Sequence, residues 1–217
     1  MPEDTAVVPK PANVTFTEAA AICAALTALP FLRDNGQIQS GQKVLIIGAS
    51  GSIGTFAVQL AKYYGAEVTG VCSTRNVEFV QSLGADKVID YSKEDFAQSG
   101  TTYDIIFDVA GKSSYSHAKK ALKKNGRYMT TVLSLGILLQ MGRTSLFGSK
   151  KALIAFTGLR PSSEKTQDLH FLKELVESGT VKPIIDRSYS FAQIAEAHAY
   201  ADKGHKQGNV AIAVAGA

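Results

Sequence analysis

Cysteine and tryptophan are scarce: the 217 residues hold two cysteines, Cys23 and Cys72, and no tryptophan. Two thiols cannot build the disulfide framework of a small secreted protein, so a reducing, cytoplasmic setting is the expectation. Charge is sparse too, at 19% of residues against 45% hydrophobic, which excludes a disordered polyelectrolyte. No apolar run reads as long enough to span a bilayer, and the opening MPEDTAVVPKP is not a secretory signal. No membrane association is expected. The net charge of +4 comes from scattered residues. The densest basic group, Lys119, Lys120, Lys123 and Lys124, has the spacing of one exposed helix face, with no aromatic-basic stripe beside it. Nucleic acid is therefore not the expected partner.

What is present is an alternation. KVLIIG (43–48) is a continuous apolar run, as in a strand buried on both faces. A helix over 54–64 follows, then EVTGVC (67–72), a helix over 76–83 that closes at Gly84, and KVID (87–90). The rhythm resumes with YDIIFDVAG (103–111), a helix near 114–123 and GRYMTTV (126–132). A Gly/Leu-rich stretch at 134–149 has no assignable pattern; ALIAF (152–156) and a helix over 162–178 come after it. The fold class is α/β, a Rossmann-type doubly wound parallel sheet.

Upstream, residues 15–34 read as a helix opened by TFTE, a capping box from Thr15 to Glu18. The tail breaks the rhythm with VKPIIDRSYSF (181–191), a helix over 192–203 and NVAIAV (209–214). The opening residues are extended and punctuated by proline. The expected division is 1–14, 15–180 and 181–217, with both ends outside the Rossmann unit.

The first strand runs directly into ASGSIG and then a helix, with the spacing Ala49-x-Gly51-x-x-Gly54. Alanine stands where the usual dinucleotide fingerprint has its first glycine. Such a turn aims backbone N–H groups at a pyrophosphate resting on the positive end of the helix. Gly51 lets the backbone approach the phosphates, and Gly54 lets the helix pack close to the strand. An NAD site carries Asp or Glu at the end of the second strand, about 20 residues on, to bind the ribose 2′-hydroxyl. This chain has Cys72-Ser73-Thr74-Arg75-Asn76 there. Ser73 can donate to a 2′-phosphate and Arg75 can pair with it, so NADP(H) is the expected cofactor.

GQKVLIIGASGSIGTFAVQLAKYYGAEVTGVCSTRN, followed by SLGADKVIDY, resembles the medium-chain dehydrogenase/reductase superfamily, best its zinc-independent, quinone-oxidoreductase-like branch. The tail GHKQGNVAIAV resembles that family's terminal GH..GKVV segment, and EAAAICAALTALPFL the helix before its cofactor domain. The resemblance implies that Ser50, Gly51, Ser52, Ile53 and Gly54 hold the pyrophosphate, with Ser73 and Arg75 on the 2′-phosphate. It places Tyr91 beside the adenosine phosphate. It puts Asp108 to Gly111, including Ala110, and Thr130 to Leu133, including Val132, along the adenine-ribose and nicotinamide regions. Thr27 and Asn209 would lie near the nicotinamide. It further implies that the chain starts where a GroES-like catalytic domain is nearly finished, and that both ends are remnants of that domain.

The activity implied is hydride transfer from NADPH to a quinone or an α,β-unsaturated carbonyl, in a homodimer, with no catalytic side chain identified. Two alternatives stand beside it: a zinc-dependent alcohol dehydrogenase fragment and a non-catalytic NADPH-sensing module. Cys23 occupies a position that supplies a catalytic zinc ligand in zinc-containing relatives, but a buried structural thiol is the expectation, and no metal. Tyr115 and Lys119 match the YxxxK spacing of short-chain dehydrogenases by coincidence, since that family's GxxxGxG loop is lacking. His117, His170, His198 and His205 suggest no ligand cluster and no Ser-His-Asp arrangement.

Overall fold

The computed structural model describes residues 5–214. Six strands form one sheet: β1 (Lys43–Ile47), β2 (Glu67–Cys72), β3 (Lys87–Asp90), β4 (Tyr103–Asp108), β5 (Leu122–Thr130) and β6 (Lys151–Ile154). Their order is β3-β2-β1-β4-β5-β6 and every pairing is parallel. This is the Rossmann order, which reverses between β1 and β4 and opens a crevice at their carboxyl ends. A second sheet pairs β7 (Ile185–Ser190) with β8 (Asn209–Ala213), also in parallel.

The helical run before β1 opens at Thr15, whose hydroxyl accepts from the Glu18 amide at 3.2 Å while the Glu18 carboxylate accepts from the Thr15 amide at 2.8 Å. The capping box is therefore formed. The run divides into α1 (Phe16–Ala21), a 3-10 turn, α2 (Ala25–Pro30) and a π turn through Asn35. Pro30 has no N–H to give, so a uniform ladder cannot pass it. Taken whole, Phe16–Asn35 is long and apolar enough to cross a membrane by length and composition, against the sequence expectation. Half of it is buried inside the molecule: Ala25, Ala28, Leu29 and Leu32 are inaccessible, and Phe31 stacks on Phe107 of β4 at 4.8 Å.

The remaining helices are α3 (Ser52–Tyr63), α4 (Val77–Ser82), α5 (Tyr115–Ala118), α6 (Leu135–Leu146), α7 (Ser162–Glu177) and α8 (Ile194–Asp202). The stretch without a readable pattern is thus helical at α6, capped by the Ser134 hydroxyl on the Ile137 amide. The four lysines do not share a helix face. Helix ends at Ala118 and a 3-10 turn at Ala121, so Lys123 and Lys124 open β5, where Lys123 reaches Asp104 at 2.7 Å.

Buried Asp168 of α7 accepts from Arg33 at 2.8 Å and also from Arg160, tying the first helical run to α7. At the chain ends, the amide of Ala12 and the Asn13 side chain bond to the end of α7, and β7 and β8 lie against α1. Residues 1–4 and 215–217 of the expected end segments lie outside the described residues.

Candidate functional site

The turn after β1 stands at the point where strand order reverses. Its first residue, Gly48, has φ +86°, and a Cβ there would come within 2.8 Å of the Ala110 Cβ. Gly48 therefore performs the tight turn that the sequence reading sought at position 49. A Cβ on Gly54 would lie 2.1 Å from the Gly48 carbonyl oxygen, so this glycine sets how closely α3 packs on the loop. Gly51 differs: its nearest obstacle is an ordinary 3.5 Å contact, and the space beyond is open.

Gly51 is the N-cap of α3 and no side chain caps that helix, as is also true of α4, α7 and α8, while Thr15, Ser114 and Ser134 cap α1, α5 and α6. The first-turn amides of Ser52, Ile53 and Gly54 have no acceptor within an α-helix, and the positive end of the dipole lies there. Ser50, Gly51, Ser52 and Ile53 are all part-exposed at this end.

Beside the loop, Ser73 is half-exposed at the end of β2. Arg75 is exposed and makes no ion pair or side-chain hydrogen bond among the described residues. The neighbouring acid is Asp90, at the end of β3. Its carboxylate accepts from the Thr74 hydroxyl at 2.6 Å and from the Ser92 hydroxyl at 2.7 Å, which hold it well below the usual carboxylate range. Asp90 is thus engaged by its own turn. Tyr91 follows on the rim, 60% exposed. Sequence reasoning missed Asn76, which is 2% exposed and donates to the Ser50 hydroxyl at 3.0 Å, joining the phosphate loop to the head of α4. The signal available was a buried asparagine one residue past Arg75, legible only once its partner was known.

At the end of β4 one expectation changes. Asp108 is inaccessible, and its carboxylate accepts from the amides of Ala110, Lys112 and Ser113 and from the Tyr128 hydroxyl at 3.1 Å. It shapes the turn after β4 and has no face left for a ribose. Burial and the Asp108 charge push the Tyr128 hydroxyl pKa up, keeping it a donor. Ala110 is exposed beside Gly48, and Val132 and Leu133 are exposed next to it, with the Thr131 hydroxyl donating to the Val109 carbonyl at 3.3 Å. These residues share one rim with the phosphate loop. Asn209 turns its side-chain amide to the Ile184 carbonyl at 3.1 Å, because that carbonyl precedes β7 and needs donors. Thr27 is half-exposed in α2, and no side-chain hydrogen bond among the described residues ties it to the loop.

Cys23 is exposed, contrary to the buried thiol expected, because its neighbours Ile22 and Ala25 take the inward face. Tyr115 is buried and donates to the Lys150 carbonyl at 3.3 Å, so it forms no catalytic pair with Lys119. A Ser-His-Asp line does exist: His117 Nδ1 lies 3.2 Å from the Ser113 hydroxyl and Nε2 lies 3.1 Å from Asp95. The ring is reversed relative to a hydrolase triad, where Nε2 meets the serine. It braces the loop at Asp95 against α5.

The family described as zinc-binding dehydrogenase matches residues 83–212, more than half of the chain. This chain belongs to that family. Within the medium-chain dehydrogenase/reductase superfamily it groups with the quinone-oxidoreductase-like members. Among curated relatives, the mouse mitochondrial NAD(P)H oxidoreductase RTN4IP1 is 33% identical over 94% of this chain and 57% of its own length. The Arabidopsis thaliana chloroplast envelope quinone oxidoreductase homolog is 34% identical over 94% and 64% respectively. The chain thus spans about three-fifths of the relatives it matches. The solved quinone oxidoreductase of Coxiella burnetii superposes with a TM-score of 0.84 at 27% identity, covering 96% of this chain and 64% of that one. The Escherichia coli quinone oxidoreductase complexed with NADPH shares the fold, with a TM-score of 0.80 at 24% identity and coverage of 95% and 68%. A catalytic zinc in this family would require three protein ligands. Among the described residues no three His, Cys, Asp or Glu side chains converge, so the residues present do not fit that metal.

Proposed function

We propose that this chain binds NADPH across the β1/β4 crevice and presents it for reduction of a quinone or an α,β-unsaturated carbonyl. The observation that carries the reading is the α3 terminus, without a side-chain cap, lying beside an exposed Arg75 that has no ion pair among the described residues. Residues 52–54 would hold the pyrophosphate with backbone amides, and Ser73 and Arg75 would hold the 2′-phosphate. Asp90, the acid at this end among the described residues, is bound to Thr74 and Ser92 and so is engaged away from a ribose 2′-hydroxyl. The cofactor, when bound, supplies the hydride. The protein's contribution is orientation: the rim at Ala110, Val132 and Leu133 offers an apolar edge beside the phosphate loop.

Relatives named as NAD(P)H, quinone and NADPH-dependent alkenal/one oxidoreductases support the reaction class. Calorimetric titration with NADPH and NADH tests the reading. Tighter binding of NADPH is expected, and equal affinities would remove the 2′-phosphate assignment. A homodimer belongs to the same proposal, because β6 is the outer strand of the sheet and offers an unpaired edge. Sedimentation equilibrium reads it directly, and a monomer at all concentrations would exclude it.

A further inference from the structure

The segment just before β8 returns to the phosphate loop from the far end of the sequence. The Gly208 amide donates to the Ser50 carbonyl at 2.8 Å, and Gly51 and Gly208 form a parallel bridge. The Ser52 hydroxyl donates to the Gly208 carbonyl at 3.0 Å. One residue back, Gln207 donates to the Asn76 side chain at 3.0 Å, beside Arg75. The tail therefore touches the phosphate loop and the head of α4 at once, on the β1/β2 side of the crevice.

Lys206 is the charged member of this segment. Its ammonium donates to the Ser52 hydroxyl and to the Gly208 carbonyl, each at 2.6 Å. Both partners are neutral. The acidic group that bears on it is Asp186, already bonded by the Tyr200 hydroxyl at 2.6 Å. Burial lowers the Lys206 pKa, a sign that its surroundings do not balance its charge. The ammonium also sits by the N-terminus of α3, the end of a helix that disfavours a cation. Residues 48–54 of the loop, Gly-Ala-Ser-Gly-Ser-Ile-Gly, bring no charge of their own. Two positive features meet at the phosphate loop with neutral groups between them. An anion entering there would satisfy both.

We propose that Lys206 is a pyrophosphate-binding residue, a cation supplied by the tail to a phosphate loop that has none. The proposal rests on the dinucleotide reading above and deepens it. Lys206 meets the diphosphate common to NADPH and NADH, so it sets affinity for both. Arg75 meets the 2′-phosphate, so it sets the choice between them. The two cations divide recognition along the length of the cofactor.

The test titrates wild type, Lys206→Met, Lys206→Arg and Arg75→Ala with NADPH, NADH and adenosine 2′-monophosphate, which lacks the diphosphate. Lys206→Met is expected to weaken NADPH and NADH alike by about tenfold, the scale of a hydrogen bond to a charged group. It should leave adenosine 2′-monophosphate unchanged, and Lys206→Arg should restore most of the loss. Unchanged binding of NADPH and NADH by Lys206→Met would overturn the proposal and leave the cofactor reading intact. Equal weakening of all three ligands would overturn it too, by reducing Lys206 to a brace of the loop. Failure of wild type to bind either dinucleotide would instead sink the cofactor reading. A measurement on wild type stands in should the variant misfold. With 15N-labelled lysine, NADPH should shift the Lys206 Nζ resonance and adenosine 2′-monophosphate should not; a resonance unmoved by NADPH would overturn the assignment.

Discussion

Removing the Arg75 side chain should cost NADPH roughly ten- to hundredfold in affinity, the range for hydrogen bonds to a charged group, and barely change NADH. Paired titrations of Arg75→Ala check this, and equal losses for both cofactors would refute it. Gly51→Val makes the complementary case. Space is open at Gly51 and its φ of −82° suits any residue, so the fold should survive. The branched side chain would stand where the pyrophosphate must lie, and both cofactors should fail to bind, read by NADPH fluorescence against an unchanged circular dichroism spectrum. Gly54→Ala is the contrast, since its Cβ collides with the backbone at Gly48 and Ala49 and must disturb the fold itself. At this scale the sequence was half legible. The places of Gly51 and Gly54 in the turn could be read because backbone geometry leaves a fixed spacing, and Ser73 and Arg75 stand after β2 where that spacing puts them. Asn76 and Lys206 could not, because their meaning lies in partners 26 and 154 residues away.

Among the elements, those that bury an apolar face were the most readable. The strands β1 to β4 follow their apolar runs, and the Thr15–Glu18 box marks the start of α1 to the residue. Helix α6 escaped because Leu135, Leu139 and Leu146 point outward, so its leucines trace no buried stripe. The lysines at 119–124 misled for a related reason: a strand with an exposed start carries the same polar residues as a helix surface. Element junctions were hardest to see. The Asp168 side chain, 3% exposed, joins Arg33 to Arg160, and nothing local in the sequence announces it. Asp168→Ala should lower stability by about 2 kcal/mol. That is less than the ~3–5 kcal/mol of a fully buried pair, since both arginines keep some water. Urea unfolding reads the change, and a midpoint equal to wild type would show the clamp to be idle.

For the molecule as a whole, binding and turnover should part company. The loop, the Arg75 end and the rim are all present, so the 217-residue chain should hold NADPH. Val132 and Leu133 after β5, and Leu135 at the start of α6, are exposed where a nicotinamide would face water. Precise positioning of two reactants can contribute roughly 7–11 kcal/mol, and an open face cannot supply it. Steady-state NADPH oxidation with quinones and enones is therefore expected to fall far below the ~1–1000 per second of ordinary enzymes. Turnover within that range would show that the open face suffices. The doubly wound parallel sheet was legible at this scale from alternation; its strand order and the return of the tail to the phosphate loop were not.

That return also bears on the order of events during synthesis. The sheet from β1 to β6 uses residues up to Ile154, while the phosphate loop gains its last hydrogen bond from Gly208. A ribosome delivers the N-terminal part first, so the scaffold can form while the loop still lacks its closing strand. Contacts so distant in sequence also form late, because a long chain segment must be closed before they add stability. The loop should thus be the last part of the crevice to set. Pulse-labelled exchange during refolding gives the check: the Gly208 amide should gain protection after those of β1 and β4, and simultaneous protection would show that sheet and latch fold as one.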